Sequence, residues 1–135
     1  MGRVQIENKS EDQLQCSLVE YIRKQYKRAL FCATVGGVSC GPIEKDRLKR
    51  SGYQNGIPDI MFYMARHGYH GLALELKRTK SDKMRPDQII WMDNLIREGW
   101  AHHCSHDIDD LHSWVDWYLG RKKKPTNCAD RILTM

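Results

Sequence analysis

GLALELKR, residues 71–78, is the stretch whose reading decides the fold. Side chains along an extended strand alternate between its two faces, so Leu72, Leu74 and Leu76 line one face and belong to the core. Ala73, Glu75 and Lys77 then stand together on the other face. A charged pair two residues apart in so apolar a run is either a solvated ion pair on an edge strand, where charge discourages aggregation, or a piece of chemistry. Just upstream, IPDIMFYM (57–64) reads as a strand with its proline at the beginning, where a missing ladder donor is tolerated. ARHGYHG (65–71) is a turn, so the two strands form a hairpin, and in the right register Asp59 comes against Glu75 and Lys77.

Two carboxylates converging in a partly dry site repel each other, which raises the cost of ionisation unless a cation shares them. Mg²⁺ or Mn²⁺ suits such a place, because a hard cation takes oxygen ligands and leans on one or two carboxylates plus a substrate phosphate. A metal there polarises a phosphoryl oxygen and acidifies a water, while the Lys77 ammonium positions that water or meets developing negative charge. The expected chemistry is phosphodiester hydrolysis.

The rest of the chain has the elements of one layered domain. SEDQLQCSLVEYIRKQY (10–26) predicts a helix, with Ser10 as N-cap, Gln13 as its capping-box partner and Leu14, Leu18, Tyr21 and Ile22 at helical spacing. RALFCATV (28–35) predicts a strand stopped by Gly36-Gly37. GPIEKDRLKRSGYQNG (41–56) predicts a short basic helix that opens on Pro42 and stops at Gly52. PDQIIWMDNLIRE (86–98) predicts a helix with Ile89, Met92 and Ile96 inward, WAHHC (100–104) a short strand, and DIDDLHSWVDWYLG (107–120) a last helix with Ile108, Leu111, Val115 and Tyr118 inward. The order predicts an α/β fold with a mixed central sheet flanked by helices, at residues 1–120, followed by a basic tail at 121–135.

Composition narrows the function. Hydrophobic residues at 41% and charged residues at 29% describe a globular chain of 135 residues rather than a disordered one. The N-terminus MGRVQIENKS has no apolar signal segment, and five scattered cysteines with no CxxC pair fit reduced thiols, so the expectation is a cytoplasmic protein without membrane contact. Net charge of +5 favours a polyanionic partner. Gly36-Gly37 has neither a GxGxxG nor a Walker pattern, so no nucleotide cofactor is expected. HHCSH (102–106) has no partner pair at zinc-ligand spacing, and RKKK (121–124) reads most simply as a solubilising tail.

Gly-x-Pro-Asp opening one strand and Glu-x-Lys ending the next resemble the PD-(D/E)xK nuclease superfamily. With PDQIIWMDNLIREGW after them, then a short strand and a terminal helix, the chain looks like a virus-type replication-repair nuclease (VRR-NUC) domain. The resemblance runs from about residue 10 to 119 and is strongest from Asn55 to Trp100. It implies that Asp59 and Glu75 bind the metal, with the backbone carbonyl of Leu76 as an extra ligand, that Lys77 assists the water, and that Gln88 lies near the site. It also implies an acid in the first helix, for which Glu11 and Glu20 are available. Helical geometry favours Glu11, which falls between Leu18 and Ile22 on the inward stripe, with Gln15 a weaker candidate and Glu20 turned to solvent.

Lys45, Arg47, Lys49 and Arg50 before the hairpin, and Arg78, Lys80, Lys83 and Arg85 after it, are candidates for sequence-independent phosphate contacts. Trp91 and Trp117 fall at or outside the apolar edges of their helices, which suggests a contact surface. Small stand-alone members of the family are commonly homodimers that act on branched DNA. The resemblance therefore implies a homodimeric endonuclease resolving four-way junctions, with a flap or single-strand nuclease and a non-catalytic DNA-binding module as the alternatives.

Overall fold

The computed structural model describes residues 11–34, 41–120 and 122–125. Its elements are α1 (Glu11–Gln25), β1 (Phe31–Ala33), α2 (Pro42–Arg50), β2 (Ile60–Phe62), β3 (Leu72–Leu76), α3 (Pro86–Arg97), β4 (Ala101–Ser105) and α4 (Ile108–Leu119). The four strands form one mixed sheet in the order β1-β2-β3-β4, antiparallel between the first three and parallel between β3 and β4. This is the expected α/β architecture, with the strands shorter than the apolar runs that predicted them. Ser10, Gly36-Gly37 and most of the tail lie outside the described residues.

β3 is an inner strand, and that overturns the edge-strand reading of its charges: Glu75 is 1% exposed and Lys77 8%. The leucines of β3 pack with Leu14, Leu18 and Ile22 of α1 and with Leu111, Trp114, Val115 and Tyr118 of α4 in the main core. On the opposite face Ala73 joins Met61, Met92 and Leu95 in a smaller cluster under α3. The alternation read from GLALELKR is therefore the division between the two layers.

The hairpin register pairs Ile60 with Leu74, Met61 with Ala73 and Phe62 with Leu72. One step further along the same ladder sets Asp59 opposite Glu75. A slip of one residue would have turned every side chain of β2 to the wrong layer, so the two apolar clusters hold the register. At the other end of the hairpin His67 (φ 54°) and Gly68 (φ 84°) both have positive φ, as tight turns matched to strand twist require.

Two readings of helix faces are corrected. In α3 the inward residues are Gln88, Met92 and Leu95, whereas Ile89 is 46% exposed and Ile90 61%. The helix is rotated from the face its isoleucines suggest, because Gln88 is drawn to the buried charges of β3. In α4, Trp117 is 5% exposed and belongs to the core, stacked with His67 and edge-on to Trp114 and Tyr69, so it offers no contact surface. Trp91 is half-buried against the smaller cluster.

The beginning of the tail is docked. Lys122 Nζ lies 3.5 Å from Asp116 Oδ2, and Lys124 Nζ sits over the rings of Tyr69 and Trp117. Asp116 also accepts hydrogen bonds from Tyr21 and Tyr26 of the α1 region, which ties α1, α4 and the tail together on the side of the sheet away from α3. Among the described residues no helix is long and apolar enough to cross a membrane.

Candidate metal centre and nucleic-acid cleft

The site grows out of the end of the hairpin. Asp59 is held from both sides: its carbonyl accepts from Thr34 N at 2.9 Å, and its Oδ2 accepts from Leu76 N at 2.7 Å. Thr34 Oγ1 adds a bond of 2.8 Å to Pro58 O, so the residue before the acid is tied down as well. Glu75 projects from near the C-terminal end of β3 on the α3 side, and the first turn of α1 supplies Glu11. One oxygen from each of Glu11, Asp59 and Glu75 lies within 4.8 Å of the other two. Glu20, the other acid weighed for α1, is exposed and lines a separate groove with Cys16, Val19 and Arg23.

Lys77 and Gln88 complete the floor. Lys77 Nζ donates to Gln88 Oε1 at 2.7 Å, and Gln88 Nε2 donates to Glu75 Oε2 at 3.2 Å. The same Gln88 oxygen accepts from Arg85 N at 2.8 Å, closing the N-terminus of α3. One buried amide thus sets the positions of the ammonium, the carboxylate and a helix end. We expect Gln88→Leu to destabilise the fold by about 1–3 kcal/mol, because the Lys77 ammonium and the Arg85 N–H lose an acceptor they cannot replace from water. Urea unfolding measures the loss, and an unchanged midpoint would remove Gln88 from this network.

Electrostatics show what the cluster lacks. Burial holds the Glu75 carboxyl well above the usual carboxylate range, and the neighbouring Asp59 pushes the same way against the opposing pull of Lys77. Glu11 is raised too, by burial first and then by Asp59. The Cys104 thiol, paired in register with Glu75, is pushed up to about 11 by burial and then by that acid. Among the described residues Glu75 Oε1 is buried with no hydrogen-bond partner. An unpaired oxygen of a buried acid, beside two more carboxylates, is the donor set of a hard divalent cation, and the three acids fit one.

His103 sits on the other face of β4, paired with Asp110 and stacked on Trp114, whereas His102 and Cys104 share the α3 side. The cleft above the carboxylates is lined further by Gln15, Tyr53 and Arg85. Gly56 sets its wall: with φ 92° and a Cβ position 2.6 Å from the Asp87 backbone, only glycine lets the 53–57 loop lie against the start of α3. Of the basic candidates, Lys45, Arg47, Lys49 and Arg50 all lie on α2, which buries no residue, with Arg50 3.0 Å from Asp46. Arg78, Lys80, Lys83 and Arg85 are exposed between β3 and α3, with Arg78 near Asp82 and Arg85 3.3 Å from Asp87. The sequence placed Tyr53 just after the basic EKDRLKR segment and before the active-site strand, in a stretch read as tracking DNA phosphates, and the structure adds that it lines the cleft of the three acids.

Comparison with known proteins bears on the family and the fold. A model of the VRR-NUC domain family matches residues 4–106. A solved structure described as a VRR_NUC domain protein superposes with a TM-score of 0.69 at 25% identity, over 81% of this chain and 87% of that one. A second, described as a VRR_NUC domain, gives 0.50 at 14% identity over 78% of this chain and 97% of that one, a likeness of fold alone. No curated protein matches.

Proposed function

Because the chain belongs to the VRR-NUC domain family, whose domain implies a nuclease-type function, we propose that it is a divalent-metal-dependent DNA endonuclease that resolves four-way junctions. The observation that supports it best is the meeting of Glu11, Asp59 and Glu75 within 4.8 Å, beside a lysine held by Gln88. Glu11, Asp59, Glu75 and the carbonyl of Leu76 would hold Mg²⁺ or Mn²⁺. Such a cation, when bound, polarises the phosphoryl oxygen and acidifies a water for attack at phosphorus.

The chain's own groups do the rest. An ammonium carries three donors, and Gln88 uses one of Lys77's, so the others aim at the attacking water or at a non-bridging phosphate oxygen. Charge developing on phosphate in the transition state strengthens that contact, which is where such a group accelerates the reaction. Gln88 acts at one remove, fixing the ammonium and orienting Glu75. Lys45, Arg47, Lys49 and Arg50 on α2, and Arg78, Lys80, Lys83 and Arg85 on the other side, take backbone phosphates without reading sequence.

Two copies related by a two-fold axis would suit paired cuts in a symmetric junction, so the active form is a homodimer, and a monomeric mass in sedimentation at micromolar concentration would count against it. The test of function is cleavage of labelled four-way junction, flap, single-stranded and linear duplex DNA with Mg²⁺ and with chelator. The junction is cut fastest, and chelation stops all cutting. Faster cutting of flap or single strand would move the substrate to those forms, and salt-sensitive binding without cutting would make the chain a binding module.

A further inference from the structure

Tyr53 lines the same cleft as the three carboxylates and Arg85, and the proposed nuclease chemistry assigns it nothing. Its position is built rather than incidental. The backbone N–H of Tyr53 donates to Leu48 O at 2.9 Å, capping the end of α2, and Gly52 with φ 109° turns the chain there. Gly56, pressed on Asp87, keeps the loop against α3. Tyr53 is half-buried and belongs to neither apolar cluster, so the core does not need it. An aromatic residue, an acidic cluster and a guanidinium therefore line one cleft.

Resting on the nuclease reading of this cleft, we propose that Tyr53 determines substrate structure by stacking the base of the nucleotide at the scissile phosphate, so that the strand enters with that base unpaired. A base within a duplex has both faces covered by its neighbours and its edge held by its partner. It can lie on Tyr53 only after leaving the stack, and that cost is least where pairing is already broken, at a branch point or in a single strand. Arg85 holds the flanking phosphate while the base is on the ring. Discrimination against linear duplex then comes from the cleft rather than from the basic surface around it.

The test uses four-way junctions carrying 2-aminopurine at each nucleotide around the branch point, bound in Ca²⁺ so that stacking is read apart from cutting. At one position wild type and Tyr53→Phe quench the fluorescence, while Tyr53→Ala and Tyr53→Leu do not; leucine keeps an apolar side chain and lacks the flat face. In Mg²⁺, Tyr53→Ala and Tyr53→Leu cut the ordinary junction roughly five- to hundred-fold more slowly than wild type, and Tyr53→Phe restores the rate. On a junction abasic at the responsive position the difference between wild type and Tyr53→Leu disappears. Quenching that persists in both Tyr53→Ala and Tyr53→Leu, or a rate loss that is as large on the abasic junction, overturns the proposal. Tyr53-dependent quenching with no cutting by any form would keep the base site and overturn the nuclease reading instead.

Discussion

Replacing Lys77 by methionine lowers DNA cleavage by ~10²–10⁴-fold and leaves DNA binding nearly unchanged. Methionine keeps the length of the buried stem, so the space between β3 and α3 stays filled, and Gln88 Oε1 still accepts from Arg85 N. What disappears is the buried ammonium that the proposed reaction sets beside the phosphate. In the proposed function affinity comes from the cations of α2 and the β3–α3 segment, none of which the substitution touches. Cleavage of the junction in Mg²⁺, with binding followed separately in Ca²⁺, measures both quantities. Cutting at the wild-type rate would remove Lys77 from the reaction, and a collapse of binding would make it a phosphate anchor instead.

The second large effect is on stability. Glu75→Gln raises the melting temperature of the metal-free protein at neutral and alkaline pH, and it abolishes the stabilisation that Mg²⁺ confers on wild type. The sign follows from the direction of the shift. The folded-state pKa of Glu75 lies above its unfolded value, so over the interval between them the native state keeps a proton that the unfolded chain has released. Unfolding then releases a proton, and metal-free stability falls as pH rises from the ordinary carboxylate range through neutrality, by at most about 1.4 kcal/mol per pH unit for this one group. Glutamine does not ionise and can still accept from Gln88 Nε2, so the variant's profile is flatter. Metal binding favours the ionised cluster, so stabilisation by Mg²⁺ grows with pH in wild type. Melting curves from pH 5 to 9 with Mg²⁺ and with chelator decide it. A parallel pH profile in the two proteins, or an equal response to Mg²⁺, would show that Glu75 is neither the strained acid nor a ligand.

Much of the fold was legible because the apolar pattern left few alternatives. Leucine at every second position of 72–76 made a strand with one core face, and the glycines and the proline around it marked the hairpin. The helices were legible at their ends, where Pro42, Gly52, Pro86 and Gly99 stand at their boundaries. Rotation of the helices was read less well. In α3, Ile89 and Gln88 are neighbours on the helix surface, and hydrophobicity alone turns the isoleucine inward. A buried ammonium and a buried acid on β3 need a partner more than one isoleucine needs cover, since an unpaired buried charge costs more than an exposed aliphatic side chain. Trp117 was misread for a related reason: the wall that covers it is made by the β2–β3 turn and the tail, far away in sequence.

By itself the sequence determined the two-layer division of the sheet, the existence of the hairpin between Asp59 and Glu75, and the preference for Glu11 over Glu20, since each follows from a local turn or from a period of two or of 3.6 residues. The tertiary structure alone decided that β3 is an inner strand and its charges buried, that one oxygen of Glu75 has no partner among the described residues, that Gln88 holds Lys77 and Glu75 together, and that Tyr53 shares their cleft. Those are relations between segments distant along the chain, and no local period encodes them.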